Sequence, residues 1–274
     1  QYDRDLDILI DYYKDVMNAQ KNEQNQAEET KTHNSLDSKC MQSIFYGSPG
    51  TGKSWTVQHN VLKDVKEDYI FRTTFHPDTD YSAFVGCYKP VKNAGILDYK
   101  FVPQVFTNAY VAAKKHPETP IYLIIEEINR GNCAQIFGDL FQLLDRNMWG
   151  FSDYPIKADN DMRKQLAKAF SLLEISQERK DRINACYKGG KDIVKQVMSG
   201  EILLLPDNFY IWATMNTSDQ SLFPIDSAFK RRWDWQYMPI AKGRENGKDM
   251  NWRIVANENE YDWWSFLTKI NEQI

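Results

Sequence analysis

The chain has 274 residues, 42% of them hydrophobic, and a formal net charge of -4. That is enough apolar material for one large core or two small ones, and the acidic balance excludes a diffuse electrostatic grip on nucleic acid or on an anionic membrane. Cys40, Cys87, Cys133 and Cys186 form no CxxC pair, which excludes a zinc ribbon or a disulfide framework and reads as reduced, cytosolic thiols.

No apolar run approaches the length of a membrane span and the opening QYDRDLD is not a signal peptide, so a soluble, cytoplasmic protein is expected. A start at Gln rather than Met predicts a fragment of something longer. Residues 3 to 19 carry Leu6, Leu9, Ile10, Tyr13, Val16 and Met17 at helical spacing. The polar stretch 20 to 38 that follows reads as a linker or mobile loop, so residues 1–40 are expected to be a helix plus linker.

From Met41 short β-rich runs alternate with helical ones, the pattern of an α/β fold with a sheet flanked by helices. The strand candidates are QSIFY (42–46), YIFRTTF (69–75), IYLIIEE (121–127), FYIWATMN (209–216) and WDWQYMP (233–239). Helices are predicted at about 53–66, 103–116, 133–146 and 219–231. Residues 77 to 102 read as an excursion containing a hairpin, and 159 to 200 as polar helices inserted before the fourth strand, within a wider insertion at about 150–207.

GSPGTGKS, residues 47 to 54, follows a strand and opens a helix, the context that the GxxxxGK[ST] pattern requires. Gly47, Ser48, Pro49, Gly50, Thr51 and Gly52 form a loop whose backbone N–H groups can aim at phosphate oxygens. Lys53 is expected on the β and γ phosphates and Ser54 on Mg²⁺; the bland alternative is a glycine-rich turn with a surface lysine. Glu126 and Glu127 end an apolar strand, where a lone charge is costly. Facing a magnesium nucleotide, Glu126 would be a metal ligand, direct or through water, and Glu127 would orient and deprotonate the attacking water. The alternative is a pair of carboxylates capping the next helix.

In ATMNTSDQS, Asn216 ends a strand where an amide can hold a water or a γ-phosphate oxygen, though asparagine also caps helices. Arg231 and Arg232 end a short helix and suit either an arginine that completes a neighbouring subunit's site or the neutralising of a helix terminus. Asn129 and Arg130 are polar for a strand exit and fit a turn cap plus a surface arginine as well.

These stretches, with FHPDTDYSAFVGCYKP and LIIEEINRGNCAQIFGDLFQLLD, resemble the McrB-like AAA+ NTPases, motor subunits of modified-cytosine restriction systems, within a helix-2-insert clade that includes MoxR chaperones. The resemblance covers about residues 41–240. It implies a P-loop AAA+ fold with a hairpin at about 84–102, a ring, usually hexameric, with sites between subunits, GTP as nucleotide in this group and ATP in the wider clade, a McrC-like nuclease partner, and movement along DNA. It implies phosphate and magnesium roles for Lys53 and Ser54, a catalytic acid at Glu127, a first sensor at Asn216, a branch signature at Asn129 and Arg130, and a finger pair at Arg231 and Arg232. The usual Asp is Glu126 here. Residues 241–274 are too few for a complete helical lid. The competing readings are a MoxR-like ATP-driven remodeller and a non-hydrolysing nucleotide-dependent scaffold.

Overall fold

The computed structural model describes residues 40–93, 96–187, 192–218, 223–245, 248–256 and 259–271. The helix expected at 3–19 and the linker after it lie outside these residues.

In chain order the described elements are β1 (Gln42–Gly47), α1 (Lys53–Thr56), β2 (Ile70–Thr74), α2 (Tyr81–Phe84), β3 (Gly86–Asn93), β4 (Ile96–Pro103), α3 (Val105–Lys115), β5 (Ile121–Glu126) and α4 (Cys133–Phe137). There follow β6 (Ile156–Lys157), α5 (Asn160–Phe170), α6 (Gln177–Ala185), α7 (Ile193–Met198), β7 (Ile202–Leu203), β8 (Phe209–Asn216), α8 (Ser227–Lys230) and β9 (Asp234–Tyr237). Beyond β9 two small antiparallel ladders, β10 (Arg244–Glu245) with β11 (Lys248–Asp249) and β12 (Arg253–Ala256) with β13 (Asn259–Asp262), precede α9 (Trp263–Asn271). The expected start of a helical lid is therefore, among the described residues, one helix preceded by hairpins.

The five expected strands form one parallel sheet in the order β2-β5-β8-β1-β9. Near-continuous apolar strands such as IYLII suit a parallel sheet buried on both faces. Side chains alternate between those faces. Ile44, Leu123, Ile125, Ile211 and Ala213 enter the larger core, which α3, α4 and α5 cover. Phe45, Ile70, Tyr122, Ile124 and Trp212 enter the opposite one with Val57 and Leu62 from the segment after the glycine loop.

The helix expected over 53–66 is shorter. Four α-helical residues give way to a π turn at 57–61, closed by the Leu62 N–H on the Val57 carbonyl at 3.1 Å. Thr56, Val57, His59, Asn60 and Val61 are weak helix formers, so tertiary packing decides the geometry. Likewise α4 stops at Gly138, whose φ is +48°, and continues as a 3₁₀ helix to Leu144. The helix expected over 219–231 covers only α8, and 219–222 lie outside the described residues. The excursion contains α2 and the β3–β4 hairpin, and the insertion holds α5, α6 and α7 between β6 and β7.

Arg146 ties the insertion to the sheet. It donates from Nε to Gln42 Oε1 at 2.8 Å, from Nη1 to the carbonyls of Gly150 and Pro206, and from Nη2 to that of Phe209 at 2.9 Å. Burial pushes its pKa down to about 9, so it remains a cation at neutral pH.

Candidate functional site

The glycine loop leaves the carboxyl end of β1. A Cβ on Gly47 would lie 2.3 Å from the Met238 carbonyl oxygen, and Gly52 has φ +79°, a left-handed conformation natural to glycine. Lys53 is buried, and its ammonium donates to the carbonyls of Gly47 at 3.1 Å and Ser48 at 2.8 Å. Thr51 Oγ1 donates to the Ser48 carbonyl at 3.0 Å. The lysine is thus folded over the mouth of its own loop, where an anion would meet it, and Pro49, Gly50 and Ser54 stay exposed.

β8 lies between β1 and β5, so the strand ending in Asn216 separates the glycine loop from the carboxylates, and Gly47 is in register with Asn216. Glu126, two residues after Ile124, points to the face carrying the glycine loop. Its Oε2 accepts from Ser54 Oγ at 2.8 Å and also from Thr214 Oγ1. Arg72 Nη1 stands 3.9 Å from Oε1. Neither carboxylate caps α4, whose N-cap is Asn132, accepting from the Gln135 N–H at 3.3 Å.

Glu127 turns out of the strand with φ +54°, the one positive φ on a residue other than glycine among the described residues. Such a backbone costs on the order of 1–3 kcal/mol and persists only where its surroundings impose it. Here the Glu127 N–H donates to Thr214 Oγ1 at 3.2 Å, and Asn216 Nδ2 donates to Glu127 Oε1 at 2.6 Å. The second oxygen, Oε2, is buried, accepts no hydrogen bond among the described residues, and has Arg130 Nε 3.6 Å away. A carboxylate with one oxygen anchored and the other without a hydrogen bond is placed to accept a proton from a water set against it.

Asn129 is buried and donates from Nδ2 to the Asn216 carbonyl at 2.7 Å, while its own carbonyl accepts the Phe223 N–H at 2.9 Å. It is a brace between the strand exits rather than a simple turn cap. Arg130 is half exposed beside Glu127.

The double arginine divides. Arg231 is exposed at the end of α8. Arg232 is enclosed: Nη2 pairs with Asp145 Oδ2 at 2.6 Å, Nη1 donates to the Ala228 carbonyl at 2.6 Å, and the guanidinium lies 3.9 Å from the Phe141 ring centre.

Thr214, Arg72 and Gln58 were not singled out from sequence. Thr214 Oγ1 bridges the Glu126 carboxylate and the Glu127 backbone N–H, and Gln58 Oε1 accepts from Arg72 Nη2. The available signal is strand alternation: Arg72, Glu126 and Thr214 each follow by two a residue of the same core, Ile70, Ile124 and Trp212.

The donor set suits a hard cation. Ser54 Oγ and Glu126 Oε2 are both oxygens, and adjacent corners of an octahedron with Mg–O of about 2.0–2.1 Å lie about 2.9 Å apart, close to their separation. Among the described residues no group of three or more His, Cys, Asp or Glu side chains could hold a metal. No helix among them is long and apolar enough to cross a membrane.

Residues 42–233 match the family described as AAA domain (dynein-related subfamily). The chain is 37% identical over 257 residues to the Type II restriction enzyme BsuMI component YdiS of Bacillus subtilis (strain 168), covering 84% of this chain and 67% of that protein. It is 24% identical over 232 residues to the Type IV methyl-directed restriction enzyme EcoKMcrB subunit of Escherichia coli (strain K12), covering 84% of this chain and 41% of that protein. The chain thus spans two thirds of one relative and under half of the other.

Proposed function

The chain belongs to the AAA domain (dynein-related subfamily) family, and from that membership we propose that it is the Mg²⁺-dependent, nucleoside-triphosphate-hydrolysing module of a McrB-like restriction system. The observation that carries this reading is the chain of contacts Ser54–Glu126–Thr214–Glu127–Asn216, which joins glycine loop, carboxylate strand and asparagine strand. The names of both relatives support restriction over a MoxR-like remodeller.

In this reading the backbone of Gly47 to Gly52 wraps the phosphates and the Lys53 ammonium moves from the Gly47 and Ser48 carbonyls onto the β and γ oxygens. Ser54 and Glu126 hold Mg²⁺, which when bound neutralises charge developing on the phosphates. Glu127 Oε2 takes the proton of the attacking water. Asn216 fixes the other oxygen of Glu127, and Asn129 and Arg130 hold the strand exits in place. Arg231, exposed, reaches a neighbouring protomer's site in a ring, a hexamer being the expected form, while Arg232 anchors the helix that presents it. A McrC-like nuclease and DNA are the partners, and the setting is cytoplasmic.

The glycine-loop chemistry is the same for ATP and GTP, so the base is decided by experiment. Calorimetric titration with non-hydrolysable ATP and GTP analogues in Mg²⁺ tests the reading. Binding that is lost in Lys53→Ala supports it, and unchanged affinity in that variant overturns it. A tenfold preference, about 1.4 kcal/mol, names the nucleotide.

A further inference from the structure

A cavity lies at the other end of the sheet from the glycine loop. It has a volume of about 220 Å³ and sits between the end of α3, helices α6 and α7, and the approach to β8. Pro117 and Pro206, which line it, precede β5 and β8. In a parallel sheet that puts the cavity at the amino ends of the strands, whereas the glycine loop, Glu127 and Asn216 stand at the carboxyl ends. The eight residues of β8 separate the two places by roughly 25 Å.

Phe151, Val194, Val197 and Leu204 are buried and supply an apolar floor. The exposed Glu118 and Glu174 stand at the rim. Two cations also line the cavity, and they differ. Arg179 is matched, to Asp207 at 2.8 Å and to Glu118 at 3.0 Å. Lys114 has no hydrogen bond or ion pair among the described residues; its ammonium lies 5.5 Å from the centre of the Tyr110 ring. Burial pushes its pKa down to about 7, Arg179 and Arg146 push the same way, and Asp207 opposes them. An unpaired amine in an apolar wall is costly unless something compensates it.

We propose that this cavity binds a small amphiphilic carboxylate, with the carboxylate on the Lys114 amine and the hydrocarbon body against Phe151, Val194, Val197 and Leu204. The size sets the class: an apolar cavity of about 150 Å³ holds a benzene ring, so this one takes a body about half as large again, a medium-chain acid. The charge sets it too, because a single amine matches a monoanion and leaves a phosphate dianion under-compensated in an apolar site. The site is independent of the nucleotide reading, since none of its residues belongs to the glycine loop or the carboxylate cluster.

The test is calorimetry of the full chain with octanoate and with octan-1-ol, at pH 6 and pH 8, in buffers of different ionisation enthalpy. One octanoate binds per chain, at least tenfold tighter than octan-1-ol. At pH 8, where the Lys114 amine is largely neutral, binding takes up close to one proton; at pH 6 it takes up almost none. Lys114→Met brings octanoate down to the level of octan-1-ol and removes the proton uptake, with basal nucleotide hydrolysis unchanged. Ile175→Trp, at a half-buried lining position, blocks both ligands and serves where the Met variant does not fold. Equal affinity for acid and alcohol, no binding of either, no proton uptake at pH 8, or octanoate binding that survives Lys114→Met overturns the proposal.

Discussion

Asn216 Nδ2 donates to Glu127 Oε1 at 2.6 Å, from the end of one strand to the first residue beyond its neighbour. The bond fixes which carboxylate oxygen is occupied and leaves Oε2 unsatisfied. A hydrogen bond to a charged group contributes about 1.5–3 kcal/mol. Asn216→Ala is therefore expected to lower kcat roughly 10- to 100-fold with nucleotide affinity little changed, as read by steady-state turnover beside calorimetry. Asn216→Asp loses the donor and adds a like charge, so it falls further; wild-type turnover in either variant would remove the assigned role.

Glu127→Gln keeps the side chain's shape and an acceptor facing Asn216 while removing the proposed base. Turnover should drop by about 10²–10⁴-fold, with binding of the triphosphate retained and the nucleotide trapped unhydrolysed. Chromatography of the bound nucleotide after incubation with Mg²⁺ distinguishes the two states. A variant that still hydrolyses at the wild-type rate points to a different base.

Ser54 Oγ donates to Glu126 Oε2 at 2.8 Å. If Glu126 holds Mg²⁺ as proposed, Glu126→Gln weakens the electrostatic hold on the ion and half-saturating Mg²⁺ for hydrolysis should rise at least tenfold. Glu126→Asp shortens the reach and tests direct against water-mediated contact: a shifted Mg²⁺ requirement supports direct ligation, and an unchanged one supports a bridging water. Chelation with EDTA should abolish turnover in all of them.

What could be read beforehand follows from range. GSPGTGKS, the IYLII run and the carboxylates after it carry their chemistry in adjacent residues, so strand, loop and candidate roles were legible together. Thr214 was not, because an ordinary strand threonine becomes a bridge between Glu126 and Glu127 only when β8 pairs with β5 in the observed register. Arg72 and Gln58 meet across a helix and a strand for the same reason. The segment after the glycine loop was expected to be a regular helix, since its apolar spacing allows one, but the π turn is a choice made by packing on Phe45 and Trp212. Asn216 and Asn129 were visible as polar residues at strand exits, but not as partners of each other.

Lys114 gives a pH dependence of known sign. Its pKa is lowered from an ordinary 10.5 to about 7, so between those values the unfolded chain binds a proton that the folded chain does not. Stability from this group therefore rises with pH across that window and is least favourable below pH 7, where the folded amine must carry its charge. Lys114→Met removes the slope. The Tm of the variant minus that of the wild type should be positive near pH 6 and shrink steadily toward pH 9.5 in thermal melts, in which Arg146 and the tyrosines titrate alike in both proteins. A difference that is flat with pH means that the amine is not desolvated.

Arg231 and Arg232 are adjacent in sequence and opposite in circumstance, and that contrast yields a separable pair of variants. Arg232 holds Asp145, caps the Ala228 carbonyl and covers the Phe141 ring, so Arg232→Ala leaves a partly buried carboxylate unpaired. A loss of roughly 1–3 kcal/mol follows, visible as a lower denaturant midpoint in the isolated chain. Arg231 makes no such enclosed contacts and is exposed, so Arg231→Ala should leave that midpoint unchanged. In the proposed reading its effect belongs to the assembled state: an arginine supplied across subunits contributes about 10³–10⁵ in rate where it stabilises phosphoryl transfer, so hydrolysis by the assembled protein is expected to fall steeply. Mixing Arg231→Ala with Glu127→Gln decides the geometry. If the arginine acts on a neighbour, mixed rings contain interfaces with an intact Arg231 facing an intact Glu127 and recover activity that neither variant has alone. If it acts within its own protomer, no mixture recovers any.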